Sequence, residues 1–153
     1  MQGITEIRSF YREAVDSSRK SSKLWADLSK LEPKEGIHLA YQASARALMA
    51  NHEWNPLTKL SLLKEAMGLF QKAVDKDPHN IEIRFLRFAI QHHTPDALQL
   101  SKHLNEDRDT FVKYAKDYAS FDLKGEHMYA FLSFLKKSRR FSKEQINQIE
   151  SVI

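Results

Sequence analysis

An all-helical chain with no sheet is what this sequence predicts, on three observations. Only 4 Gly and 4 Pro punctuate 153 residues, too few for the tight turns of a sandwich or barrel, and they fall where helices would start or stop. Apolar residues recur at three- and four-residue spacing through most of the chain, the period of an amphipathic helix. Hydrophobic residues make up 42% and charged residues 29%, the balance of a folded globular protein, so a single domain over residues 1–153 with one core is expected.

Taken in order, residues 4 to 17 carry Ile4, Ile7, Phe10, Tyr11, Ala14 and Val15 at helical spacing, and residues 19 to 31 carry Leu24, Trp25, Leu28 and Leu31. Glu32-Pro33-Lys34-Glu35-Gly36 ends that pair. The third helix, 37 to 50, sets Ile37, Tyr41, Ser44 and Leu48 on one stripe beside Ala40, Ala43, Ala47 and Ala50, small residues that allow a neighbouring helix to approach closely. Asn55-Pro56 reads as an N-cap and first-turn proline opening a fourth helix to about residue 76, with Leu63, Ala66, Phe70 and Ala73 inward. After the turn Asp77-Pro78-His79-Asn80 comes the most apolar helix, 81 to 91, expected to be central, with Arg84, Arg87 and Gln91 as its narrow polar stripe. Thr94-Pro95 is expected to cap a short helix to about residue 103 and Asn105 another to about 119. Gly125 separates the next, bearing Met128, Phe131, Leu132 and Leu135, and Ser142 with Gln145 forms a capping box opening the last. About nine helices result.

One recurrence stands out. Ala66, Phe70, Ala73 and Pro78 have the spacing of the second helix of a helical repeat, and Ser21, Trp25, Leu28 and Pro33 repeat it with bulkier choices, while Tyr41, Ala45 and Leu48 suit the matching first helix. Lys72-Ala73-Val74-Asp75-Lys76-Asp77-Pro78-His79-Asn80 is similar to the end of a tetratricopeptide repeat (TPR). Between Leu48 and Ala66 lie about nine residues more than a standard repeat holds, which makes the connection around 52 to 60 unusual. With Ile81-Glu82-Ile83-Arg84-Phe85-Leu86-Arg87-Phe88 following, residues 36–95 resemble a family of TPR-like proteins from Bacteroidetes-type bacteria. The resemblance implies antiparallel helix pairs in a right-handed array, with residues 96–153 as a helical capping region. It carries no activity with it.

The sequence has no cysteine, which removes disulfides, thiolate nucleophiles and cysteine-held metal centres. Without a basic start followed by an apolar run, and without about 18 consecutive apolar residues, a cytoplasmic protein with no membrane partner is expected. The net charge of +4 is spread among mixed signs and selects no partner.

Candidate functional residues are few. Arg84, Arg87 and Gln91, with His38, Gln42 and Arg46 on the third helix, are expected to line a groove that holds a protein or an acidic peptide, or else to pair with carboxylates of the chain itself. The segment Lys136, Lys137, Arg139, Arg140 and Lys143, with Phe141, offers phosphate or nucleic-acid binding, or else complements a helix C-terminus while Phe141 staples the next helix. His92, His93, Asp96, His103 and Asp107 sit too irregularly around Pro95 for a metal site. Glu106, Asp107 and Asp109 suit a helix start better than acid–base chemistry. With no phosphate-binding glycine loop, nucleophile elbow or dinucleotide fingerprint, neither catalytic residues nor a cofactor is expected, and the reading is a non-enzymatic interaction module. The choice between monomer and dimer stays open.

Overall fold

The computed structural model describes residues 3–32 and 34–153; Met1, Gln2 and Pro33, the last a member of the second recurrence, lie outside the described residues. Among these the chain forms eight α-helices and no strand: α1 (Ile4–Ala14), α2 (Ser18–Ser29), α3 (Gly36–Asn51), α4 (Pro56–Lys76), α5 (Ile81–His92), α6 (Leu104–Tyr114), α7 (Gly125–Ser138) and α8 (Lys143–Glu150).

Local chemistry sets most boundaries. The Ser17 hydroxyl accepts from Lys20 N, the Asn55 amide oxygen from Leu57 N and Thr58 N, and the Asn80 oxygen from Glu82 N and Ile83 N, each satisfying N–H groups that an opening helix leaves without partners. Ser142 and Gln145 exchange both hydrogen bonds of the capping box that opens α8. Two expectations change in the second half. The short helix anticipated from Pro95 to His103 is a single 3₁₀ turn, Asp96–Leu98, ended by Gln99 in the left-handed region at φ 56°. Beyond it the chain is tied to α5 instead: Ser101 Oγ donates to Gln91 O at 2.8 Å, and His103 N to Gln91 Oε1 at 3.0 Å. The following helix starts after His103, not Asn105, and passes at Ala115 into a 3₁₀ segment, Ala115–Phe121, that ends with Asp122 at φ 58°.

Helices pack first as sequence neighbours, α1 on α2, α3 on α4 and α5 on α6, and then α1 on α3 and α3 on α5. Gly36 marks a close approach: a Cβ there would stand 3.0 Å from Ala73 O and 3.2 Å from Ile83 Cδ1, so the start of α3 meets the backbone of α4 and the Ile83 side chain of α5. α5 is central, as an apolar surface wider than one face requires. Its Ile83 and Leu86 belong to a core shared with α1–α4, whereas Ile81 and Phe88 belong to one shared with α6–α8, and Phe85 packs against both. α7 reaches α5 through aromatic rings, Phe131 stacked on Phe85 at 4.2 Å and Phe134 edge-on to it at 5.5 Å.

Candidate functional site

The arginine stripe of α5 faces inward, onto α6. Arg87 forks onto Asp107 with both bonds at 2.7 Å and also donates to Glu106 Oε2 at 2.9 Å and Gln71 Oε1 at 3.2 Å. Arg84 donates to Asp107 Oδ1 at 3.0 Å, to Glu106, and twice to Pro78 O. Asp107 is fully buried and Arg87 nearly so at 1% exposure, so the centre of this network is buried between α5 and α6 while Glu106 reaches its solvent edge. Burial alone would raise the Glu106 carboxyl, but the Arg84 hydrogen bond and the charges of Arg87, Arg84 and His103 outweigh it and hold it below the ordinary glutamate value. Gln91 accepts from His103 N and points its amide at Met67. Of the two roles expected for this stripe, the structure displays pairing within the chain for Arg84 and Arg87: two guanidinium groups beside a packed surface need carboxylates, and the first turn of α6 supplies them.

The α3 stripe is likewise engaged within the chain. Gln42 donates to Ser29 Oγ at 3.1 Å. Arg46 donates to Glu65 at 2.7 Å while its guanidinium lies 3.9 Å above the Trp25 ring, a cation–π contact. His38 Nδ1 accepts from Glu35 N at 3.0 Å at the start of the helix. Neither Gln42 nor Arg46 extends into the groove described below.

In the basic segment Lys136 lies 3.5 Å from Glu150, Arg140 Nε donates to His92 Nδ1 at 3.0 Å, and Arg139 adopts the left-handed region at φ 59° to end α7. Lys137, Arg139 and Lys143 are exposed and form no ion pair among the described residues. Phe141 packs edge-on against Phe88 of α5 at 5.4 Å. No group of three metal-ligating side chains comes together among the described residues; His92 and His93 join the aromatic cluster of Phe134 instead.

A second buried network went unread in the sequence. Glu82, the one acid in α5, is 1% exposed and faces the opposite way from Arg84 and Arg87. Arg8 of α1 grips it with two bonds at 2.8 and 2.9 Å, and Tyr41 of α3 donates to it at 2.6 Å. Arg8 also donates to Asp122 O, which ties α1 to the segment entering α7. Burial and the adjacent Glu82 push the Tyr41 phenol well above its ordinary value, so it remains a donor. A carboxylate on the side of α5 opposite its polar stripe was the available signal; its partners, 74 and 41 residues away, were not.

This network closes one end of an open, mainly apolar groove walled by the odd-numbered helices. A pocket of about 310 Å³ runs between α1, α3, α5 and α7 over Tyr41, Leu86 and Phe131. It shares Tyr11, Phe85 and Phe134 with a larger pocket of about 570 Å³, which continues past Ala47, Ala89 and Ile90 to Lys59 and Leu98. The larger pocket has no acidic lining residue; its charged groups are Lys59 and, when protonated, His93. Arg12 stands at the other end, and neither it nor Lys59 forms an ion pair among the described residues. An apolar trough with cations at both ends can hold apolar side chains and orient a carboxylate. Compared with known protein families, with curated proteins and with solved structures, the chain matches none.

Proposed function

We propose that the protein is a non-enzymatic interaction module, built as a short TPR-like array, whose groove between α1, α3, α5 and α7 receives a protein segment with apolar side chains and an acidic group. The packing order supports the TPR-like reading: α1, α3 and α5 each pack on the even helix that follows, α1 packs on α3 and α3 on α5, and α7 meets α5 through aromatic rings. α7 and α8 then cap the second core. A cytoplasmic location accords with this reading, and no helix among the described residues is long and apolar enough to cross a membrane.

The observation that carries the proposal is the groove itself, where Tyr11, Phe85 and Phe134 join two mainly apolar pockets while Glu82 is held by Arg8 and Tyr41 and the arginines of α5 are paired on its far side. Selection from a random peptide library tests it. Peptides rich in apolar and acidic residues should emerge, and Ala89→Glu, which puts bulk and negative charge on a partly exposed wall position, should abolish their capture. Peptides that bind the variant equally well would refute the groove.

A second reading rests on Lys137, Arg139 and Lys143, exposed and without ion pairs, as an anion-binding patch for nucleic acid. Its mark would be affinity that falls steeply with salt and is lost in Lys137→Ser with Lys143→Ser.

A further inference from the structure

The unusual connection between α3 and α4 presents a surplus of apolar surface. Trp54 is 87% exposed and Leu57 79%, the two most exposed large hydrophobic side chains among the described residues. The turn that carries them is held: Glu53 Oε1 accepts from Asn55 N at 3.2 Å, and the Asn55 side chain caps α4 through Leu57 N and Thr58 N. A rigidly presented Trp loses little freedom when it docks, whereas a free water-facing Trp has no stabilising role in the monomer.

The same end of the molecule has a matching deficit. Asn51 and Lys59, which bracket the turn, both line the larger pocket, and Val15, 44% exposed, lines its opposite wall. Val15 thus stands in the pocket lining, and Trp54 and Leu57 lie in the segment between two other lining residues, Asn51 and Lys59, without folding back into the groove themselves. The hook carries one acid, Glu53, next to Trp54; the groove end carries Lys59, with no ion pair and no acidic neighbour in the lining.

We infer that this groove end is a self-association site, in which the Trp54–Leu57 hook of a second copy enters the larger pocket with its Glu53 toward Lys59. Because hook and pocket lie side by side, a two-fold axis satisfies both at once and closes the assembly as a dimer. Two aromatic hooks and the two grooves that receive them bury on the order of 1,000 Å², the lower bound for a specific interface, so a weak, reversible dimer follows. The inference goes beyond the proposed function and shares only the groove with it. Dimerisation and peptide capture would compete, so each copy shields its partner's groove until a ligand displaces the hook.

Sedimentation equilibrium of the full chain tests this, with Trp54→Ser/Leu57→Ser as a hook variant and Ala89→Glu as a groove variant, each checked for wild-type helicity. The expected result is wild-type dimerisation with Kd on the order of 10–100 μM, monomers for each variant alone, and partial association when the two variants are mixed, since one hook and one groove remain intact. The hook variant should still capture selected peptides, which separates failure of the dimer from failure of the groove. A wild-type chain that stays monomeric overturns the inference, whether or not Trp54 then binds lipid vesicles. So does a dimer that survives Ala89→Glu but not loss of Trp54, because hooks would then be packing on each other.

Discussion

The two charged networks of α5 lie on opposite faces of one helix and solve different problems. Toward α6, Arg84 and Arg87 are neutralised by Asp107, fully buried, and by Glu106, whose side chain is 54% exposed. Toward α1 and α3, the single acid Glu82 is held by Arg8 and Tyr41, and Arg8 keeps backbone carbonyls as additional acceptors. The first joins α5 to α6, with Gln71 of α4 as a further acceptor, and none of its residues lines the groove. The second joins three odd-numbered helices and forms part of the groove's floor. Polar residues on a buried helix therefore do not mark its open face; here the more conspicuous stripe fastens α5 to α6, and the inconspicuous acid lines the groove.

Substitutions can break that comparison. Asp107→Ala strands two buried guanidinium groups with only the half-exposed Glu106 left, and should cost about 3–5 kcal/mol in urea unfolding. Glu82→Gln should cost less, about 2–3 kcal/mol, because Arg8 retains the carbonyls of Asp122 and Phe121. The reverse order would mean that the odd-helix network, not the α5–α6 seam, is the principal fastening. Arg46→Ala removes a partly exposed ion pair and a cation–π contact, worth about 1 kcal/mol. Smallest and of opposite sign is Arg139→Gly, which relieves a left-handed residue at the end of α7 and should stabilise by about 0.5 kcal/mol.

Acid should weaken the fold in two stages. His127 accepts Lys124 N at Nδ1 and His92 accepts Arg140 Nε at Nδ1, both as neutral rings. Burial depresses both, aided for His127 chiefly by Arg8 and for His92 by His93 and Arg140. A depressed histidine stabilises the folded chain above its ordinary pKa, so stability should begin to fall below about pH 6.5 as protons bind the unfolded state first. Glu106 is depressed as well, and its share is lost further down, below about pH 4.3. His127→Gln, whose amide oxygen can take the same hydrogen bond without titrating, should flatten the first stage in denaturation midpoints measured across pH.

Helix positions were legible because caps and periodicity are local: Asn55 and Ser142 occupy the cap sites expected of them, and α5 is as central as its apolar girth implies. The turn Asp96–Leu98 misled because what replaces helix there is the bonding of Ser101 and His103 back to Gln91, which local pattern cannot display. The site was legible only in part. Arg84 and Arg87 were singled out correctly as residues needing partners, but the choice between a ligand and the chain's own carboxylates depends on where α6 docks. The groove depends on Tyr11, Phe85 and Phe134 meeting across three helices, and as isolated aromatics each reads simply as core.

The most direct test of the central claim is the affinity of a library-selected peptide for three forms of the chain: wild type, the groove variant Ala89→Glu, and the patch variant Lys137→Ser/Lys143→Ser. If the odd-helix groove is the binding face, the groove variant should lose at least about tenfold, roughly 1.4 kcal/mol, and the patch variant should match wild type. Equal binding by the groove variant with loss in the patch variant would contradict the claim and move the function to the basic end of α7.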